Sequence, residues 1–200
     1  MELVQVIAYS GVFVFAITGA LKARKHRMDI FGAAVLAFVT AYGGGTIRDL
    51  LLGIRPVSWV NDYIALSLVI GAVMIVSLVR RSSIKFIRTI FITDAIGLGL
   101  FTSTGIEIAL HNDINSAYAV VMGVITGTFG GLLADILSNT IPDLLKRGEL
   151  YATASLIGGL IYILFLKAGI PHNVDQLVCV VVVVAVRIIS KVKRLVLPDI

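Results

Sequence analysis

The 200-residue chain is 58% hydrophobic and only 14% charged, with a mean hydropathy of +0.99. Soluble domains carry roughly 25% charged residues, so this composition excludes an ordinary soluble enzyme and indicates an integral membrane protein. The formal net charge of +5 is no nucleic-acid footprint either, because its basic residues fall in short blocks between apolar segments without interleaved aromatics.

A helical span takes roughly 20 residues, and the apolar runs predict seven of them, at 3–21, 29–53, 61–79, 87–110, 115–140, 150–168 and 176–196. Little chain remains for anything else, so residues 1–200 read as a single all-α membrane domain. The first run follows Glu2 rather than a basic segment and is too long for a signal sequence, which makes it a retained span. The second holds "AYGGGTIRDLLLG", with three glycines and an Arg-Asp pair inside an apolar helix. Lys22, Arg24, Lys25 and Arg27 follow the first span. Arg80, Arg81, Lys85 and Arg88 follow the third, Lys146 and Arg147 the fifth, and Lys191, Lys193 and Arg194 the seventh. The opposite loops offer little beyond Arg55 and Lys167, so the positive-inside rule places the N-terminus outside and the C-terminus in the cytoplasm of a multi-pass plasma-membrane protein. The seventh span is valine-rich, holds the lone Cys179 and reads as a lipid-facing or packing helix, with Arg187 the only charge near its middle. That single cysteine can form neither an intrachain disulfide nor a thiolate cluster. His26, His111 and His172 fall in loops without ligand spacing, and no nucleophile stands with a base. The reading is therefore not an enzyme, with no cofactor, no firm metal site and no nucleic-acid partner.

Set against itself at an offset of 86, the chain aligns without a gap from Gly11 to Pro56. Gly11 meets Gly97, Phe15 meets Phe101, Thr18 meets Thr104 and Gly19 meets Gly105. Thr40 meets Thr126, Gly44 and Gly45 meet Gly130 and Gly131, Asp49 meets Asp135 and Pro56 meets Pro142. Each copy holds three spans, an odd number, so the second enters the membrane the opposite way round. The architecture is two inverted three-helix repeats, at 3–79 and 87–168, plus a seventh helix at 176–196. Inverted repeats with interrupted helices are the build of many conduits.

Gly43, Gly44 and Gly45 each cost roughly 1 kcal/mol against Ala in a helix interior and free backbone groups that lipid cannot satisfy. The second span is expected to kink there, opposite a matching kink of the fifth at Gly130 and Gly131. Such kinks either line a permeation path or serve packing alone. Thr18 and Thr104 lie on small, partly polar faces of spans one and four, suited to close packing or to pore lining. Arg48, Asp49, Asp135 and Asp94 are charges within spans and need partners or water. One pairing to test joins Arg48 to Asp135 across the repeats, either as a structural pin or within the path. Asp94 is either a cation or proton site or a satisfied interior carboxyl, and Glu107, nearer a helix end, is read as snorkelling.

Three plus three plus one spans, with "GGGTIRDLLLG" in the second and "GTFGGLLADILSN" in the fifth, resemble the prokaryotic branch of the trimeric intracellular cation channels, whose domain is also labelled a glycine transporter domain. The resemblance covers nearly the whole chain. It implies a homotrimer in the lipid bilayer, with a potassium-permeable pore in each protomer lined chiefly by the kinked second and fifth spans. It carries the hinge role to Gly43, Gly44 and Gly45 and to Gly130 and Gly131. Phe129 stands where a third glycine would complete the second motif, and Ala134 stands where the first copy has Arg48.

The reading is a passive monovalent cation channel, with potassium or sodium bound only transiently. Asp135 and Asp94 favour cation entry. The alternative is a secondary transporter for a small amino acid such as glycine, and a third reading is a membrane scaffold with dry packing at the kinks.

Overall fold

The computed structural model describes residues 3–79, 83–147 and 150–196. Glu2, Arg80 and Arg81, with the side chains of Lys85 and His172, lie outside them. The described residues form seven α-helices: α1 (Leu3–Lys25), α2 (Ile30–Leu52), α3 (Tyr63–Leu78), α4 (Ser83–His111), α5 (Ser116–Leu137), α6 (Ala152–Lys167) and α7 (His172–Lys193). A short 3-10 turn at Asp143–Leu145 follows α5. The predicted spans recur with shifts of a few residues at their ends. His111, which closes α4, and His172, which opens α7, are exceptions to their reading as loop residues.

Five helices are long and apolar enough to cross a membrane, whereas α3 and α6 are shorter, at 16 residues each. These two short helices close the two repeats. Many apolar side chains on the outside are exposed, among them Ile70, Met74, Leu160, Leu164 and Val181. An outer surface of that kind is stable in hydrocarbon and costly in water.

The repeat holds down to the backbone. Asp29 caps α2 by accepting the Gly32 N–H, and Asn115, 86 residues on, caps α5 by accepting the Tyr118 N–H. Just before those caps Arg27 and Asp113 both adopt a left-handed conformation, with φ of 59° at each. The chain leaves α2 through Gly53 at φ 72° and α5 through Asn139 at φ 51°. Ile54 N–H then donates to the Asp49 carbonyl at 2.8 Å, and Thr140 N–H donates to the Asp135 carbonyl at 3.0 Å. Caps and turns of this kind are set by local residue chemistry, so the same segment folds the same way in either orientation.

Two apolar clusters form the core. Phe15, Ala37, Ala41, Val69 and Ala72 of the first repeat anchor one, which Phe101 of α4 joins, and Leu98, Ile106, Val120 and Tyr162 of the second repeat anchor the other with Val183 of α7. The halves then cross at symmetric contacts. A side chain on Gly11 would meet the Phe101 ring, and one on Gly97 would overlap the Phe15 ring, the two rings standing edge to face at 5.0 Å between centroids. Between α2 and α5 the approach is closer still: a Cβ on Gly44 would overlap the Thr126 carbonyl oxygen, and a Cβ on Gly130 the Thr40 carbonyl oxygen. Only glycine permits backbone to approach backbone in this way. α7, which has no counterpart in the first repeat, packs on α4 and α6.

Overpacking a tight contact costs about 1–3 kcal/mol. Gly44→Ala and Gly130→Ala are each expected to lower the thermal unfolding midpoint of the purified protein in detergent. Gly71→Ala, whose added Cβ meets nothing within 4 Å in the interior of α3, is expected to hold or raise it.

Candidate functional site

The site grows from the crossing of α2 and α5. α2 is helical from Ile30 to Leu52 and α5 from Ser116 to Leu137 without interruption, so the glycines do not end either helix. The glycines instead remove side chains from a backbone contact. Besides Gly44 and Gly130, Gly43 makes room for Leu133 Cδ1, which a Cβ would meet at 2.8 Å. The Gly131 Cβ position lies 2.6 Å from the Tyr151 hydroxyl, and that of Gly45 opens on a cavity with Arg48 Nη2 at 3.7 Å.

Each repeat places one carboxylate at the end of its glycine helix, and the two are held in parallel ways. Asp49 is fully buried; its Oδ2 accepts the backbone N–H of Ser58 at 2.7 Å, which ties the loop after α2 back to the helix. Asp135 Oδ2 accepts the backbone N–H of Asp143 at 2.9 Å and does the same after α5. Their cations differ. Arg48 donates through Nε and Nη2 to Oδ1 of its neighbour Asp49, at 2.9 and 2.6 Å, and reaches Ser58 Oγ at 3.3 Å. Lys22 Nζ donates to Asp135 Oδ1 at 2.6 Å from the end of α1. The pairing of Arg48 with Asp135 is therefore not made; adjacency on the helix did not prevent the Arg48–Asp49 pair, because the long guanidinium stem folds back onto its neighbour.

Asp94 is buried on α4 with both oxygens occupied. Tyr151 donates its hydroxyl to Oδ1 at 3.1 Å, and Arg187 Nη2 donates to Oδ2 at 3.2 Å. Arg187 is 1% exposed and lies 4.6 Å from the Tyr151 ring centroid and 4.9 Å from that of Phe91. Glu107 does not snorkel: it is 3% exposed, accepts the Tyr162 hydroxyl and pairs with His111 Nε2 at 2.8 Å. Burial without a partner is too costly for such groups at this depth, so each carboxylate has been given donors. Near the helix ends, burial raises the Asp143 carboxyl, but the Lys146 hydrogen bond and the Lys22 charge outweigh it and hold its pKa below the usual carboxylate value.

Cavities open towards both ends of the helix bundle. On the face of the loop after α2, a cavity of 110 Å³ is lined by Tyr42, Gly45, Asp49, Trp59, Thr104 and Thr126 among others. On the opposite, basic face, one of 440 Å³ is lined by Lys25, Asp94, Asp143, Lys146, Arg187 and Lys191, and another of 770 Å³ lies between the ends of α1, α2 and α3. Thr126 lines the first cavity, and Gly131 sits against Asp94 of the second. Five residues of helix separate them, about 7.5 Å of rise. Thr104 thus faces a cavity, while its repeat mate Thr18 is buried 2.8 Å from the Thr93 hydroxyl.

Lys22, Arg187 and Tyr151 were missed as site residues. Lys22 was read only as a topology signal, although it continues the face of Gly11, Phe15 and Thr18 at helical spacing. Arg187 was noted as a lone charge in an apolar run, and an intramembrane Arg calls for a partner. Nothing in the sequence distinguished Tyr151.

The family model described as glycine transporter matches residues 5–80 and 91–167. A membrane protein of Vibrio cholerae is 43% identical over 169 residues, covering 84% of this chain and 70% of its own length. The inner membrane protein YadS of Escherichia coli K12 is 39% identical over 180 residues, 89% of this chain and 86% of its own. Among solved structures, the TRIC trimeric intracellular cation channel orthologue of Rhodobacter sphaeroides superposes with a TM-score of 0.89 at 34% identity, over 98% of this chain and all of the other. A second TRIC cation channel matches at 0.86 and 35% identity, over 100% and 98%.

Removing one partner of a buried ion pair costs about 3–5 kcal/mol, because the survivor is left uncompensated. Asp135→Asn is expected to destabilise the protein by that order in denaturation measurements, with Lys22 stranded. The double variant Lys22→Met with Asp135→Asn is expected to recover most of the loss.

Proposed function

The chain belongs to the glycine-transporter-domain family that contains the prokaryotic trimeric intracellular cation channels, and from that membership we propose that it is a passive cation channel with potassium as its main permeant ion. The observation that carries the reading is a cavity at the α2–α5 crossing itself, lined by Gly45 and Thr126, with a wider cavity on the basic side that reaches Asp94, against which Gly131 of α5 sits. In this reading each protomer holds its own path beside Gly43, Gly44, Gly45, Gly130 and Gly131, and the crossing opens by small displacements of α2 against α5. Asp49, Asp94 and Asp135 are each offset by a paired cation, so the charge that favours a positive ion over a negative one is that of Asp62, which lines the first cavity. Residues 1–200 act as a single membrane domain and assemble as a homotrimer, as the name of the Rhodobacter sphaeroides relative says of that protein. The basic face, with Lys25, Lys146 and Lys191, lies in the cytoplasm by the positive-inside rule.

Reconstitution in planar bilayers under a potassium gradient tests the reading. Unitary currents reversing near the potassium equilibrium potential are expected. Silence together with saturable uptake of labelled glycine would replace the channel with a transporter. Gly45→Ala, which puts a methyl into the cavity beside Arg48, is expected to lower the unitary conductance. Native mass spectrometry of the detergent-solubilised protein is expected to give the mass of three chains.

A further inference from the structure

We propose that the 110 Å³ cavity beside the loop after α2 is a binding site for a small primary ammonium group, of methylammonium size. Its wall is unusually aromatic for a cavity this small: Tyr9, Tyr42, Trp59 and Phe101 all line it. Tyr42 and Trp59 stand 5.6 Å apart between centroids, and Phe38 braces both from behind at 4.8 and 5.1 Å. Trp59 is fixed further by donating its indole N–H to Thr46 Oγ1 at 2.9 Å. Rings held in this way offer faces that attract a cation.

The charges of the lining do not balance. Arg48 is the one cation among the lining residues, and Asp49 already takes it through two hydrogen bonds. Asp62 is left over, so the cavity carries one net negative charge. Its Oδ1 accepts the Ala65 N–H as the cap of α3, and the Tyr9 hydroxyl hydrogen-bonds the same carboxylate without supplying a charge. The Tyr42 hydroxyl, near Asp62, is buried with no hydrogen-bond partner. A ligand with one positive charge and N–H donors would satisfy both residues at once. A zwitterion would not, because its own carboxylate would find Arg48 engaged and would restore the charge imbalance. The site therefore discriminates an amine from an amino acid.

The chain contains a single tryptophan, so the site reports on itself. Titrating the detergent-solubilised protein with methylammonium chloride, against sodium chloride at equal ionic strength, is expected to change the Trp59 emission saturably, and glycine at the same concentrations is not. Asp62→Asn keeps a side chain that caps helices equally well but removes the charge, and it is expected to raise the half-saturation concentration by about tenfold or more. Tyr42→Phe is expected to weaken binding less. An emission that methylammonium leaves unchanged, a response equal for glycine, or an unaltered half-saturation in Asp62→Asn would each overturn the site. Block of potassium current by methylammonium would follow only if the channel reading also holds. Loss of currents therefore bears on that reading, and the fluorescence titration bears on the site.

Discussion

Everything in this fold hangs on two backbones touching. Gly44 lies against the Thr126 carbonyl and Gly130 against the Thr40 carbonyl, so α2 and α5 meet closer than any side chain would allow. Lipid offers helices no hydrophobic reason to associate, and close van der Waals contact takes over that role. The rest follows from the crossing. α1 and α4 pack against the same centre through Phe15 and Phe101, and the carboxylates of Asp49 and Asp135 fall at opposite ends of the crossed pair. The glycines that looked like defects in a helix are thus the surface on which the two halves are joined, and the helices stay whole because nothing needs to break.

The second constraint is charge in a medium that punishes it. Asp49 and Asp135 have the same task, holding the N–H of a residue eight or nine positions on, and a buried carboxylate in the membrane calls for a cation beside it. The first repeat supplies it from the next residue, Arg48, and the second from another helix, through Lys22. One carboxylate is locally neutralised within its own helix. The other ties α1 of the first repeat to α5 of the second, so the pair also fastens the two halves together. The same requirement met in two ways explains how Ala134 can stand where its counterpart is Arg48 without leaving an acid unpaired.

Architecture was largely legible in the sequence because it is written in periodic and local signals. Seven apolar runs, an offset of 86 and the recurring Gly, Thr, Asp and Pro positions recover the helices and their inversion, and Asp29 and Asn115 do mark helix starts. The partners of the charges were not legible. Which cation reaches Asp135 depends on where the end of α1 lands relative to α5, 113 residues away, and no spacing along the chain encodes that. Likewise a triple glycine fits a kink and a close crossing equally well, since both need the absence of a side chain. The close crossing shows only in the neighbour, the Thr126 carbonyl. Glu107 illustrates the same limit of spacing: its place near a helix end suggests exposure, but Tyr162, 55 residues away, donates to it and it is buried.

The seventh helix has a physical reason to exist on one side only. Asp94 stands in the second repeat where the first has Ala8, so only the second repeat buries a carboxylate at that position. Within the second repeat Tyr151 supplies one hydrogen bond but no charge. Charge reaches it from Lys22 of α1 and, by direct contact, from Arg187 of α7, whose guanidinium is held between the faces of Phe91 and Tyr151 and reaches Asp94 at 3.2 Å. Without that helix Asp94 would face hydrocarbon or the basic-face cavity with one donor. The first repeat, with alanine there, presents no such demand, and its outer face stays apolar and exposed at Ile70 and Met74. The one helix that breaks the symmetry of the fold therefore sits where the sequence first broke the symmetry of the charges.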